Sequence, residues 1–230
     1  MDTQTSGLVI DGYISQPAHG VLAGQIASIV DEDLFGSIPT SVIDVIARHD
    51  AGWAESDLAA LEGNEKEAPI SFLSVAPEIG VSAWRKSIST AAALSPLAEL
   101  LTTMHFWLLA PRDGDPVHQE FIKDQELRIQ RMDSAGYPAS DVDRFTSALG
   151  FCDLLSLHLC SGSASSVRIP LAHPADPGAR GAEHVTISVA DVEVRMDRRR
   201  CWRPGIAEVP GWSRSGLDGL TRARFRWSFV

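Results

Sequence analysis

Two stretches of the chain place chemistry-bearing residues where the surrounding pattern calls for packing. The first is Val42-Ile43-Asp44-Val45-Ile46-Ala47-Arg48-His49-Asp50-Ala51-Gly52-Trp53. Val42, Ile43, Ile46 and Ala47 fall on one stripe of a helix. That helix ends at His49-Asp50, with Gly52 as its stop signal. Adjacent helical side chains point about 100° apart and rarely share a ligand. At a last turn, where the backbone unwinds, they can. A neutral imidazole and a carboxylate together suit a divalent metal of borderline softness. Alone, the same dipeptide reads as an exposed helix end. The second stretch is Phe151-Cys152-Asp153-Leu154-Leu155-Ser156-Leu157-His158-Leu159-Cys160. Asp153 has apolar neighbours on both sides. A carboxylate buried without a partner is costly, so Asp153 must pair with a base, accept several hydrogen bonds or bind a metal.

The elements that must position these residues are mostly helices. Leu22, Ile26 and Ile29 have helical spacing and put His19 at the N-terminal turn of a buried helix. Ser37 to Thr40 caps the helix that ends at His49, with Pro39 suited to its first turn. Further helices are expected from Pro77 to about Leu94, from Pro96 to about Leu109, from Val117 to about Met132 and from Asp141 to about Cys160. His105 lies inside the second of these, which is apolar nearly all round. His118 begins the third, at an exposed position. A short strand is expected at Gly7–Ile10, a surface loop over residues 54–69 and a return to the core at Ile70–Leu73.

Beyond Cys160 the pattern changes. Ser161 to Ser166 reads as a link. Val185–Val189, Val192–Val194 and Ala223–Val230 alternate like strands. The expected fold is therefore mainly α: a helical core over residues 1–160, then a linker and a small antiparallel β appendage over 161–230, packed on the core.

The 230 residues are 44% hydrophobic and 22% charged, ordinary for a soluble globular chain. No apolar run approaches the roughly 18 residues of a membrane span. Met1-Asp2-Thr3-Gln4-Thr5 lacks the basic and apolar regions of a signal peptide, and three cysteines make no disulfide framework. A cytoplasmic protein is expected, with Cys152 and Cys160 as small core residues. The net charge of −10 is uneven: residues 1–194 hold 11 Lys+Arg against 27 Asp+Glu, and residues 195–230 hold nine Arg against three acids. An acidic body argues against duplex nucleic acid as partner. The Arg-rich segment is expected to pair with that body. GxGxxG, Walker, GxSxG, HExxH and CxxC signatures are missing, which leaves dehydrogenase, P-loop and serine-hydrolase readings without support.

The order His19, His49-Asp50, Asp153 resembles the H…HD…D order of the HD-domain superfamily of metal-dependent phosphohydrolases. The phrases Gln16-Pro17-Ala18-His19, Ala23-Gly24-Gln25, His49-Asp50-Ala51-Gly52-Trp53, Ser71-Phe72-Leu73 and Asp153-Leu154-Leu155-Ser156-Leu157 look like an uncharacterised bacterial branch with an HD-like helical core. The similarity covers roughly residues 8–160. It implies a helical bundle holding one or two metals, with His19, His49, Asp50 and Asp153 as ligands. Two imidazoles and two carboxylates suit Fe, Mn, Zn, Ni or Mg. The resemblance also makes His105 the candidate general acid or base, or a ligand to a second metal. Trp53 and Trp84 could wall a substrate pocket or fill the core. Arg85 could reach an anionic small-molecule substrate or face solvent. His158 reads as structural, and His173 and His184 fall in the C-terminal part, where no functional role is expected. The leading expectation is a metal-dependent hydrolase, acting on a phosphorylated small molecule. The alternatives are a non-haem iron or di-iron oxygenase on the same cradle and a metal-stabilised scaffold without turnover.

Overall fold

The computed structural model describes residues 12–57, 75–132, 136–162, 166–173, 183–190, 192–197, 202–214 and 220–230. The strand expected at Gly7–Ile10, most of the 54–69 loop and the core return at Ile70–Leu73 lie outside them.

Small residues decide how the first helices meet. Helix α1, Gln16–Ile29, is capped by the Ser15 hydroxyl, which accepts from the Ala18 N–H. Proline in its first turn costs nothing, because that N–H has no helical partner. A short α2, Glu32–Phe35, leads to α3, Thr40–Arg48. Pro39 is the residue before α3 rather than part of its first turn, and no side chain caps it. Helix α3 crosses α1 at Gly20 and Gly24. A Cβ on Gly24 would stand 2.5 Å from the Ala47 Cβ, and one on Gly20 would stand 3.0 Å from the Ala47 carbonyl oxygen. Only hydrogen fits there.

Gly52 does not stop the helix by a left-handed turn. The chain runs on through a 3-10 turn, Ala51–Trp53, seated against α4, Pro77–Ala92. A Cβ on Gly52 would fall 2.0 Å from the Ala83 carbonyl oxygen, while its N–H donates to the Ser87 hydroxyl at 2.9 Å. Close approach, not backbone freedom, is why glycine stands here. Helices α5, Pro96–Leu109, α6, Pro116–Met132, and α7, Ala139–Cys160, follow. Helix α7 packs on α1, and α5 packs on α4, α6 and α7.

The small antiparallel appendage is not what the chain forms. A six-stranded mixed sheet runs in the order β1-β5-β6-β4-β3-β2, from β1 (Gly12–Tyr13), β2 (Ser166–Pro170), β3 (His184–Ala190), β4 (Glu193–Met196), β5 (Gly205–Arg214) and β6 (Leu220–Phe229). Neighbours are antiparallel except β4 and β6, which pair in parallel at Glu193–Ser228 and Val194–Phe229. The long strand missing from the sequence reading is β5. Gly205, Pro210 and Gly211 interrupt its pattern. The strand tolerates proline because β1 covers only Trp212 and Ser213 on its other side. Elsewhere α1 finishes that edge. The Gln25 side-chain amide donates to the Glu208 carbonyl at 3.0 Å, and its oxygen accepts from the Glu208 N–H at 2.8 Å.

One core joins helices and sheet. Leu22, Ile26, Ile46, Leu149 and Phe151 pack in the same cluster as Ile169, Ile187, Val209 and Phe229. It therefore continues across the division expected at residue 160. A second cluster, Val81, Ile88, Phe106, Ala110 and Phe121, lies among α4, α5 and α6. Cys152 and Cys160 are buried, and burial raises both thiols far above the ordinary range. No described helix is long and apolar enough to cross a membrane.

Candidate metal centre

The glycine contact between α1 and α3 brings His19 and His49 together, with ring centroids 5.1 Å apart. Asp50 sits between the end of α3 and the locked 3-10 turn, so its direction is set by the Gly52 contact with α4. Asp153 comes from the middle of α7, and His105 from α5. All five side chains are buried. His19 Nε2 lies 2.8 Å from Asp50 Oδ2 and 3.6 Å from Asp153 Oδ1. His49 Nε2 lies 3.2 Å from Asp153 Oδ1 and 3.5 Å from Asp50 Oδ2. His105 Nε2 lies 3.7 Å from Asp153 Oδ2.

The hydrogen bonds on the far side of the rings fix where the protons are. His49 Nδ1 is 2.8 Å from the Ile46 carbonyl oxygen, which can only accept, so Nδ1 carries the proton. His19 Nδ1 is 2.8 Å from the Ser156 hydroxyl. That hydroxyl already donates to the Asp153 carbonyl at 2.8 Å, so it accepts from His19. In their neutral forms both histidines therefore turn bare Nε2 lone pairs toward two carboxylates. Lone pairs and carboxylate oxygens at these distances repel unless a proton or a metal ion lies between them.

The donor set fits a cation. Metal–ligand bonds of about 2.0–2.2 Å put neighbouring donor atoms roughly 3.0–3.5 Å apart. The spacings among His19, His49, Asp50 and Asp153 straddle that range. Ligand atoms of His19, His49 and Asp153 all lie within 4.8 Å of one another. Outward Nδ1–H bonds to a hydroxyl and a carbonyl are also how metal-binding histidines are usually oriented.

Without a metal, the same atoms form a proton-bridged network. Burial works against a charge on His49, but Asp50, Asp153 and the Ile46 carbonyl together outweigh it and raise its pKa from 6.5 to about 9. Burial would raise Asp153, yet its hydrogen bond to His49 and the nearby histidines hold it well below the usual carboxylate range. Burial pushes His105 well below 6.5, against the pull of Asp153 and with the repulsion of the surrounding histidines.

Other expected site residues lie elsewhere. Trp53 is a buried core side chain. Trp84 stacks on Phe106 at 5.5 Å and packs with Phe121 in the second core cluster. Arg85 is half exposed and binds Asp124 at 3.0 Å and Glu120 at 3.4 Å, both on α6. His118 is not exposed as expected: it is buried against Trp84 and donates to Asp113 at 3.2 Å. Two residues were missed. Ser156 stands one helical turn after Asp153, a spacing that could have pointed to it. His173, for which no functional role is expected from the sequence, lies 2.9 Å from His105 through its Nε2. Nothing in the sequence pattern connects those two.

A family model described as "Protein of unknown function (DUF3891)" matches residues 5–202, and the chain belongs to that family. No curated protein and no solved structure matches it.

Proposed function

We propose that His19, His49, Asp50 and Asp153 hold one divalent metal ion and that the protein is a metal-dependent hydrolase of small molecules carrying a phosphate. The observation that carries the metal reading is the pair of Nε2 lone pairs turned on two buried carboxylates, with both Nδ1 protons committed outward. The hydrolase reading rests on the H…HD…D order and its resemblance to HD phosphohydrolases. A divalent ion in such a set lowers the pKa of bound water and supplies hydroxide near neutral pH. Within this reading the chain's own residues divide the work. The two carboxylates and two imidazoles hold the ion. Ser156 and the Ile46 carbonyl keep the rings in the binding tautomer. His105, beside Asp153 and buried, is the group placed to take a proton from water.

A second reading is a metal-free ion-pair network that only holds the helices together. The raised pKa of His49 favours it, because a protonated His49 would satisfy Asp50 and Asp153 without a metal. Elemental analysis of protein purified without chelators or a metal-affinity column separates the two. About one equivalent of Mn, Zn, Fe, Ni or Mg per chain supports the metal centre. Two irons with visible absorption point to oxidation instead of hydrolysis. Protein that is metal-free as isolated, and stays so after dialysis against each ion, refutes the proposal.

A further inference from the structure

His173 enters the centre from the sheet side, in the segment directly after β2, and is buried. Its Nε2 is 2.9 Å from His105 Nδ1, with ring centroids 5.1 Å apart. Two imidazole nitrogens at that distance share one proton. Either His105 donates and leaves its own Nε2 bare, or His173 donates and the remaining His105 proton sits on Nε2.

The other side of the ring decides between them. His105 Nε2 is 3.7 Å from Asp153 Oδ2, beyond hydrogen-bond length. A buried N–H facing a carboxylate would close that gap, because an unmade bond to a charged acceptor is costly. A bare nitrogen stands off from a carboxylate instead. The rings of His19 and His49 are turned the same way, with Nδ1 outward to a partner and Nε2 inward, but their Nε2 atoms lie 2.8 and 3.2 Å from carboxylate oxygens, where a proton or a metal ion must bridge them.

We propose that His173 is a positioning residue: it accepts the Nδ1 proton of His105 and thereby keeps His105 Nε2 bare and turned to the centre. The sheet then supplies part of the site rather than flanking it. The partner also differs in kind from those of His19 and His49. An imidazole, unlike a carbonyl, can receive a proton fully.

This use of the pair rests on the metal-centre reading; its geometry does not. The test reads protonated and bare imidazole nitrogens by NMR on protein with isotope-labelled histidine, metal-free and with zinc added. His105→Gln assigns the His105 signals. Wild type is expected to show His105 protonated at Nδ1 and bare at Nε2. His173→Gln keeps that pattern, because the amide oxygen still accepts. His173→Leu reverses it, putting the proton on Nε2, while zinc affinity changes less than about threefold. Nε2-protonated His105 in wild type, an unchanged pattern in His173→Leu, or loss of zinc binding in that variant overturns the proposal. If no metal binds but the tautomers are as stated, the metal reading fails and this assignment stands.

Discussion

His19 and His49 reach the centre from α1 and the end of α3, and His105 with His173 from α5 and the segment after β2. The first pair is held by atoms that cannot move a proton: a backbone carbonyl, and a hydroxyl already committed to the Asp153 carbonyl. It stands on two helices pressed together at Gly20 and Gly24, so the rings have little room to shift. The second pair joins a helix to the sheet, and its outer partner is another imidazole. Under the proposed function the difference is one of roles. Oxygen-locked rings keep fixed lone pairs and suit ligands; a ring backed by a second imidazole can change its proton and suits a base. A metal should depend steeply on the first pair and weakly on the second.

That ordering can be broken by measuring metal affinity across a series of variants. His49→Ala removes a ligand and should weaken binding by well over 100-fold, beyond the 10–100-fold typical of lost supporting partners. Ser156→Ala leaves all four ligands but frees the His19 tautomer, and should fall within that 10–100-fold range. Isothermal titration with Zn or Mn reads both. A Ser156→Ala loss equal to that of His49→Ala would mean that Ser156 holds the fold rather than one ring.

Stability against pH sharpens the same contrast. In metal-free protein His49 has a raised pKa, about 9 against 6.5. Its contribution is therefore full below about pH 6.5 and is lost as pH rises through about 9. Asp153 is depressed, so its contribution is present above its ordinary carboxylate pKa and fades as pH falls below it. Metal-free melts should drop between about pH 6.5 and about pH 9. With metal bound, the ion replaces the His49 proton and the alkaline loss should shrink. Equal alkaline losses with and without metal would contradict the assignment of His49 as a ligand. The smallest effect belongs to the far pair: His173→Leu should shift the melting temperature of metal-loaded protein no more than that of metal-free protein.

Much of this was readable before any coordinates, for reasons tied to particular residues. Strands β3, β4 and β6 alternate buried and exposed residues, and Asp153 stands out because its neighbours on α7 are apolar. Strand β5 escaped because Pro210 and its glycines break a period of two, and its partners at Gln25 and Tyr13 lie far away in sequence. That strand joins β1 to β6 and ties the sheet to α1. Gly24 and Gly52 are needed for close approach, a property of two elements that neither reveals alone. Arg85 could be read as reaching an anion or as facing solvent because its acidic partners are on another helix. His173 has no periodicity and no motif around it. Only the fold brings it to His105.

The central claim is that Asp153 binds a metal, and one comparison tests it most directly. Asp153→Asn keeps the shape and removes the charge. Thermal melts of wild type and variant are recorded with and without added Mn or Zn. A ligand role predicts that metal stabilises wild type strongly, about 2.7 kcal/mol at 100 times the dissociation constant, and the variant little. Without metal the variant should lose much less than it does with metal. If both forms lose a similar amount, on the order of 1–3 kcal/mol as for a structural hydrogen-bond partner, Asp153 is a partner of His49 only and the metal centre is contradicted.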